Sequence, residues 1–152
     1  NLTHLDIGRR PFASFHSRNV DIFQKSLRTL TNLTSLRNGP LGISLHGPGM
    51  AQTLSSLRVL DCNKAPQRIS HLREFTQLRE LRIESHASPQ EMCDTLLSLT
   101  NLEVLSLEWK DMTVLDSWFI VCLPSLSLLE RNGEVVYRKL TCWDDVVNKH
   151  VD

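Results

Sequence analysis

His71 and Glu74 stand three residues apart in RISHLREF, residues 68–75. On a helix that spacing puts both on one face, where a carboxylate could hold or relay an imidazole proton. One such pair is not an active site, which needs further groups converging on the same point. The other histidines are scattered at 4, 16, 46, 86 and 150. No G-x-S-x-G, H-E-x-x-H or paired-carboxylate pattern occurs, so no enzyme activity is expected. Cys62, Cys93, Cys122 and Cys142 contain no C-x-x-C and have no histidine at zinc-finger spacing; such cysteines read as reduced thiols, not metal ligands. RNGPLGISLHGPGMAQT, residues 37–53, holds four glycines and two prolines. It lacks the G-x-x-x-x-G-K-[ST] of a phosphate cradle and reads as an irregular loop, with LGISL either a strand inside it or this unit's true strand in a slipped register. No cofactor, metal or small-molecule substrate is expected.

Composition narrows the partners. Lysine plus arginine equals aspartate plus glutamate, 17 each, which argues against a mainly electrostatic nucleic-acid binder. No run approaches the roughly 18 apolar residues of a membrane span. Reduced thiols suit the cytoplasm or nucleus. Asn1-Leu2-Thr3 and Asn32-Leu33-Thr34 point the other way, because both fit the N-glycosylation sequon.

Surface groups at regular spacing need elements to position them, and NLEVLSLEWKDM, residues 101–112, indicates which. Leu102, Leu105 and Leu107 form L-x-x-L-x-L. The pattern recurs at Leu2, Leu5 and Ile7, at Leu57, Leu60 and Cys62, and at Leu78, Leu81 and Ile83. It recurs with a broken third slot at Leu33, Leu36 and Asn38, and at Leu126, Leu129 and Arg131. The first leucines fall at 2, 33, 57, 78, 102 and 126, so the later units repeat every 21 to 24 residues. One short strand cannot bury its own apolar face, but stacked copies can. Cys62 occupies a leucine slot and reads as buried filler.

Between the strands, SPQEMCDTLLSL, residues 88–99, opens with the capping box Ser88-Pro89-Gln90-Glu91 and places Met92, Leu96 and Leu99 on one helical face. NVDIFQKSLRTL, residues 19–30, predicts a second amphipathic helix with Val20, Phe23, Leu27 and Leu30 inward. RISHLREF predicts a single turn or two.

This ladder resembles the leucine-rich-repeat family. The resemblance implies an α/β solenoid with a curved parallel sheet, helices and loops on the convex side, about six repeats and a C-terminal cap helix. The regular repeat continues L-x-x-L-x-L-x-x-N, but Arg10, Ala65, His86 and Lys110 hold that last position here. The turn must then close by other means, and the likeness is to irregular intracellular repeats, including the substrate-recognition subunits of cullin-type ubiquitin ligases. DMTVLDSWFIVCLPSLSLLERNGEVV, residues 111–136, resembles the closing cap of intracellular leucine-rich domains. The expected domain is 1–136, with a helical extension over 137–152. The chain opens at Asn1 inside a repeat and is expected to be a piece of a longer protein.

Strand residues between the leucines would face outward on the concave side. They mix both charges with a few apolar groups, as protein-binding surfaces do. The candidate partner-binding residues are Asp61, Asn63, Glu80, Arg82, Glu84, Val104, Ser106, Glu108 and Trp109. The expected function is a non-catalytic protein–protein interaction module. The alternatives are an extracellular or receptor recognition domain, favoured by the sequons, and a ribonucleoprotein or structural scaffold component, suggested by the cap.

Overall fold

Leucines two residues apart share a face only on an extended backbone. A computed structural model describes residues 1–7, 17–39, 45, 49–62, 69–108 and 121–139, and it has a strand at each leucine motif. These are β1 (His4–Asp6), β2 (Ser35–Gly39), β3 (Val59–Cys62), β4 (Glu80–Glu84), β5 (Val104–Glu108) and β6 (Leu128–Arg131), followed by β7 (Glu134–Arg138). The seven form one sheet in chain order. Strands β1 to β6 pair in parallel, and β7 lies antiparallel on β6. The protein is α/β.

The register explains the spacing. Leu5 pairs with Leu36, Leu36 with Leu60, Leu60 with Leu81, Leu81 with Leu105, and Leu105 with Leu129. From Leu36 to Leu105 this column is fully buried, as is the column of first leucines Leu33, Leu57, Leu78 and Leu102. At roughly 1.5–3 kcal/mol per aliphatic side chain, the columns supply most of the cohesion.

Backbone bonds repeat with the leucines. From the second unit on, each first leucine donates its N–H to the carbonyl three residues earlier: Leu33 to Leu30, Leu57 to Leu54, Leu78 to Phe75, Leu102 to Leu99 and Leu126 to Leu123, at 2.9–3.0 Å. Between rungs, the carbonyls of Thr3, Thr34, Arg58, Arg79 and Glu103 each accept two N–H groups from the next rung. These groups would otherwise be unpaired where the strands begin. A polar side chain before the first leucine adds a bond to the preceding rung: Asn32 Nδ2 to Asn1 Oδ1 at 3.4 Å, Gln77 to the Leu54 carbonyl, Asn101 to Thr76 and Ser125 to Thr100.

The connections supply the second layer. α1 (Ser17–Leu27) buries Leu27, with Phe23 and Leu30 partly buried against the core. The short α2 (Met50–Thr53) buries Met50 and Ala51. A 3-10 helix, Ile69–Glu74, buries Ile69 and Leu72; its three-residue turn suits that spacing and carries on to buried Phe75. α3 (Pro89–Leu96) begins as its capping residues require: Ser88 Oγ accepts from Glu91 N at 3.3 Å and Pro89 takes the first helical position. Met92, Leu96 and Leu99 are fully buried. No described helix is long and apolar enough to cross a membrane.

Three local features do not follow from the spacing alone. First, the strand of the second unit is 35–39, so LGISL is not that strand in a slipped register. An extra residue between Leu36 and Gly39 brings Gly39 opposite Cys62, a bulge in β2. Of residues 40–48 only Leu45 is described, and it is buried. Second, Ser85 ties down the turn after β4. Its side chain is buried, its Oγ accepts from Ala87 N at 3.1 Å, and its own N–H donates to the Glu108 carbonyl. Third, Asn132 and Gly133, at φ 50° and 82°, make a two-residue hairpin turn. β7 carries the sheet past residue 136 to Arg138, where the sequence predicts the start of a helical extension. The cap helix over 111–120 and the final helix over 141–152 lie outside the described residues.

Thr95 sits fully buried on α3, and among the described residues its hydroxyl has no hydrogen-bond partner. Thr95→Val keeps the shape and removes that desolvated group. It is expected to raise the unfolding free energy by about 1–2 kcal/mol in urea denaturation. A lower stability would show that the hydroxyl is satisfied.

Candidate functional site

The alternation that turns the leucines inward turns their neighbours out. In β3, β4 and β5 buried residues alternate with half-buried or exposed ones along each strand. The register then aligns the outward groups in rows. His4, Ser35, Val59, Glu80, Val104 and Leu128 form the first row, near the N-terminal ends of the strands. Asp61, Arg82, Ser106 and Glu130 form the second, extended by paired Asp6 and Arg37. Glu84 and Glu108 pair at the C-terminal ends.

Two arginines tie the rows together. Arg82 Nε donates to Glu80 Oε1 at 2.9 Å, and Arg37 Nη2 lies 3.7 Å from the other oxygen of Glu80. Arg82 Nη1 lies 3.7 Å from Glu130 Oε2. Neighbouring strands are about 4.8 Å apart, so Arg37 on β2 reaches across β3 to β4, and Arg82 on β4 reaches across β5 to β6. Small Ser106 on β5 leaves room for the second crossing. Partial burial pulls the Arg82 pKa down, but the hydrogen bond and charge of Glu80, with the charges of Glu130 and Asp61, more than offset it. The guanidinium is held above its ordinary range and stays cationic. Each pair is half-exposed and contributes little to stability, at most about 1 kcal/mol. Its effect is to orient Glu80, Arg82 and Glu130 before anything binds.

Toward the C-terminal ends of β3, β4 and β5 lies an open depression of about 350 Å³, lined by Asp61, Cys62, Arg82, Ile83, Glu84, Ser106 and Glu108. Five of the predicted residues therefore meet: Asp61, Arg82, Glu84, Ser106 and Glu108. Glu80 and Val104 sit in the row beside them. Asn63 and Trp109 lie outside the described residues. Spacing alone does not single out Arg37 and Glu130 as site residues, yet they complete the ion-pair chain. Their outward positions were legible, but their reach across a strand was not.

Cys62 is buried at the edge of this depression, as its leucine slot implied. Burial, and next the charge of Asp61, push its thiol pKa from 9.0 to about 12. Unfolding restores the ordinary value, so above pH 9 the unfolded chain loses a proton that the folded chain keeps. Stability from this group is complete below pH 9 and is lost as pH rises toward 12. Cys62→Ala should make the alkaline fall in melting temperature shallower than in the parent. An unchanged slope would contradict the burial. Among the described residues, His86 stands 3.7 Å from Glu84, and no group of three or more His, Cys, Asp or Glu side chains could hold a metal. His71 and Glu74 both lie on the 3-10 helix, away from the outward face.

Compared with known proteins, the chain matches no family model, no curated protein and no solved structure.

Proposed function

We propose that this chain is a leucine-rich-repeat solenoid of the irregular intracellular type, whose outward sheet face is concave and holds a protein partner without catalysis. The observation that carries the reading is the pre-ordered outward face. Arg37, Glu80, Arg82 and Glu130 form a connected ion-pair chain across β2 to β6, with half-buried Val59, Val104 and Leu128 beside it. Polar groups held in place set register, and apolar neighbours carry energy. One rung per parallel strand, in chain order, supports the repeat assignment. The likeness of its sequence to substrate-reading subunits extends the proposal to that role in a cullin-type ubiquitin ligase, working in the cytoplasm or nucleus.

A second reading, an extracellular recognition domain, draws on the exposure of Asn1 and Asn32 in their sequons. Against it, Asn32 has structural work as donor to Asn1. Glycan attached to Asn32 when the chain is secreted and found at the cell surface would favour the second reading.

The function is tested by placing a photo-crosslinking residue at Ser106 in the full-length protein in its own cells, with exposed Gln90 on α3 as the control position. Adducts with one recurrent protein at 106 and not at 90 are expected. Equal labelling at both positions would remove the outward face as the docking site.

A further inference from the structure

The outward face is strongly acidic although the whole chain carries 17 residues of each charge. Among the described residues of β1 to β6 it presents the carboxylates of Asp6, Asp61, Glu80, Glu84, Glu108 and Glu130, against the guanidiniums of Arg37 and Arg82 and no lysine. Both guanidiniums are already held by Glu80 and Glu130. The acid is also unevenly placed. Val59, Val104 and Leu128 share the row near the N-terminal ends of the strands. Asp61, Glu84 and Glu108 line the depression of about 350 Å³ at the C-terminal ends, where these three carboxylates outnumber the single guanidinium of Arg82. The face thus gains acid along the strand direction, from a row in which Glu80 is the one carboxylate among Val59, Val104 and Leu128 to strand ends where carboxylates outnumber Arg82.

We infer that the partner is a basic, amphipathic protein segment, seated with apolar side chains over Val59, Val104 and Leu128 and with lysine or arginine in the depression between Asp61, Glu84 and Glu108. This deepens the proposed function and rests on its reading of the face as a protein-docking surface. Two properties of the face select the occupant. Charge complementarity favours a cationic group at one end, steering encounter and rejecting acidic competitors. Val59, Val104 and Leu128 at the other end ask for aliphatic or aromatic anchors, which a purely basic tail lacks. Nucleic acid would bring phosphates against carboxylates and is disfavoured. Six carboxylates against two guanidiniums leave the face with excess negative charge, and the paired Glu84 and Glu108 draw the incoming cation toward the strand ends.

The test uses the complete chain as bait for displayed random-sequence peptides. The comparison variants are Glu84→Lys with Glu108→Lys, Val59→Gln with Val104→Gln, and Gln90→Ala, each first checked for a melting temperature near the parent's. Enriched peptides are expected to combine lysine or arginine with apolar residues. Their affinity should fall about tenfold or more in the double lysine variant, weaken as salt is raised, and be unchanged by Gln90→Ala. Neutral or acidic peptides that bind and are lost only with Val59→Gln/Val104→Gln would overturn the basic partner while leaving the docking face. Peptides indifferent to every outward substitution would overturn both. Tighter binding of a single-stranded RNA oligonucleotide than of any peptide would also overturn the inference.

Discussion

Leu105→Ala is expected to lower the unfolding free energy by about 2–5 kcal/mol, the cost of a core cavity left by a fully buried leucine. Leu105 is fully buried in the middle of the sheet, paired with Leu81 on one side and Leu129 on the other. Its removal opens a gap that neither neighbour can fill without leaving its own rung. The loss is large against the roughly 5–15 kcal/mol that holds a typical domain together. The adjacent Val104 points the other way and is half-buried, so Val104→Ala should cost well under half as much. Urea denaturation of both variants checks the pair. Equal losses would mean that inward and outward residues are misassigned, and the proposed docking face would move with them.

The second large effect is on recognition. Glu80→Arg combined with Arg82→Glu keeps the local pair but reverses it. The parent's contacts run Arg37–Glu80 and Arg82–Glu130. The exchange therefore sets a second guanidinium against Arg37 and a second carboxylate against Glu130. These groups are at least partly solvated, with the Glu80 side chain 19% exposed and that of Arg82 42%. The stability change should stay near about 1 kcal/mol. The proposed binding depends on the arrangement itself, and affinity for an identified partner should drop about tenfold to a hundredfold. Intact folding by circular dichroism with unaltered affinity would place the docking surface off β4.

Much of this was legible in single residues. Leucines two apart prescribe a strand face, and Ser88-Pro89-Gln90-Glu91 prescribes a helix start that the structure contains. A fourth apolar column, Leu30, Leu54, Phe75, Leu99 and Leu123, repeats with the motif and accepts the turn bonds; its period was readable but hidden by the phenylalanine. The hairpin was readable too. Asn132-Gly133 between SLSLLER and EVVYRK is the strongest short-range hairpin signal, and β7 follows it directly. Ser85 left no trace, since a serine beside a strand serves many ends.

The leucine period and the two-residue alternation determined the rungs, the core columns and which side chains face outward, because burial of alternate residues has one solution at that spacing. Tertiary structure alone decided that Arg37 meets Glu80 and Arg82 meets Glu130. Those partners lie 43 and 48 residues apart along the chain and on strands that are not neighbours. Their meeting depends on sheet spacing, side-chain reach and the size of what lies between, none of which a local pattern encodes.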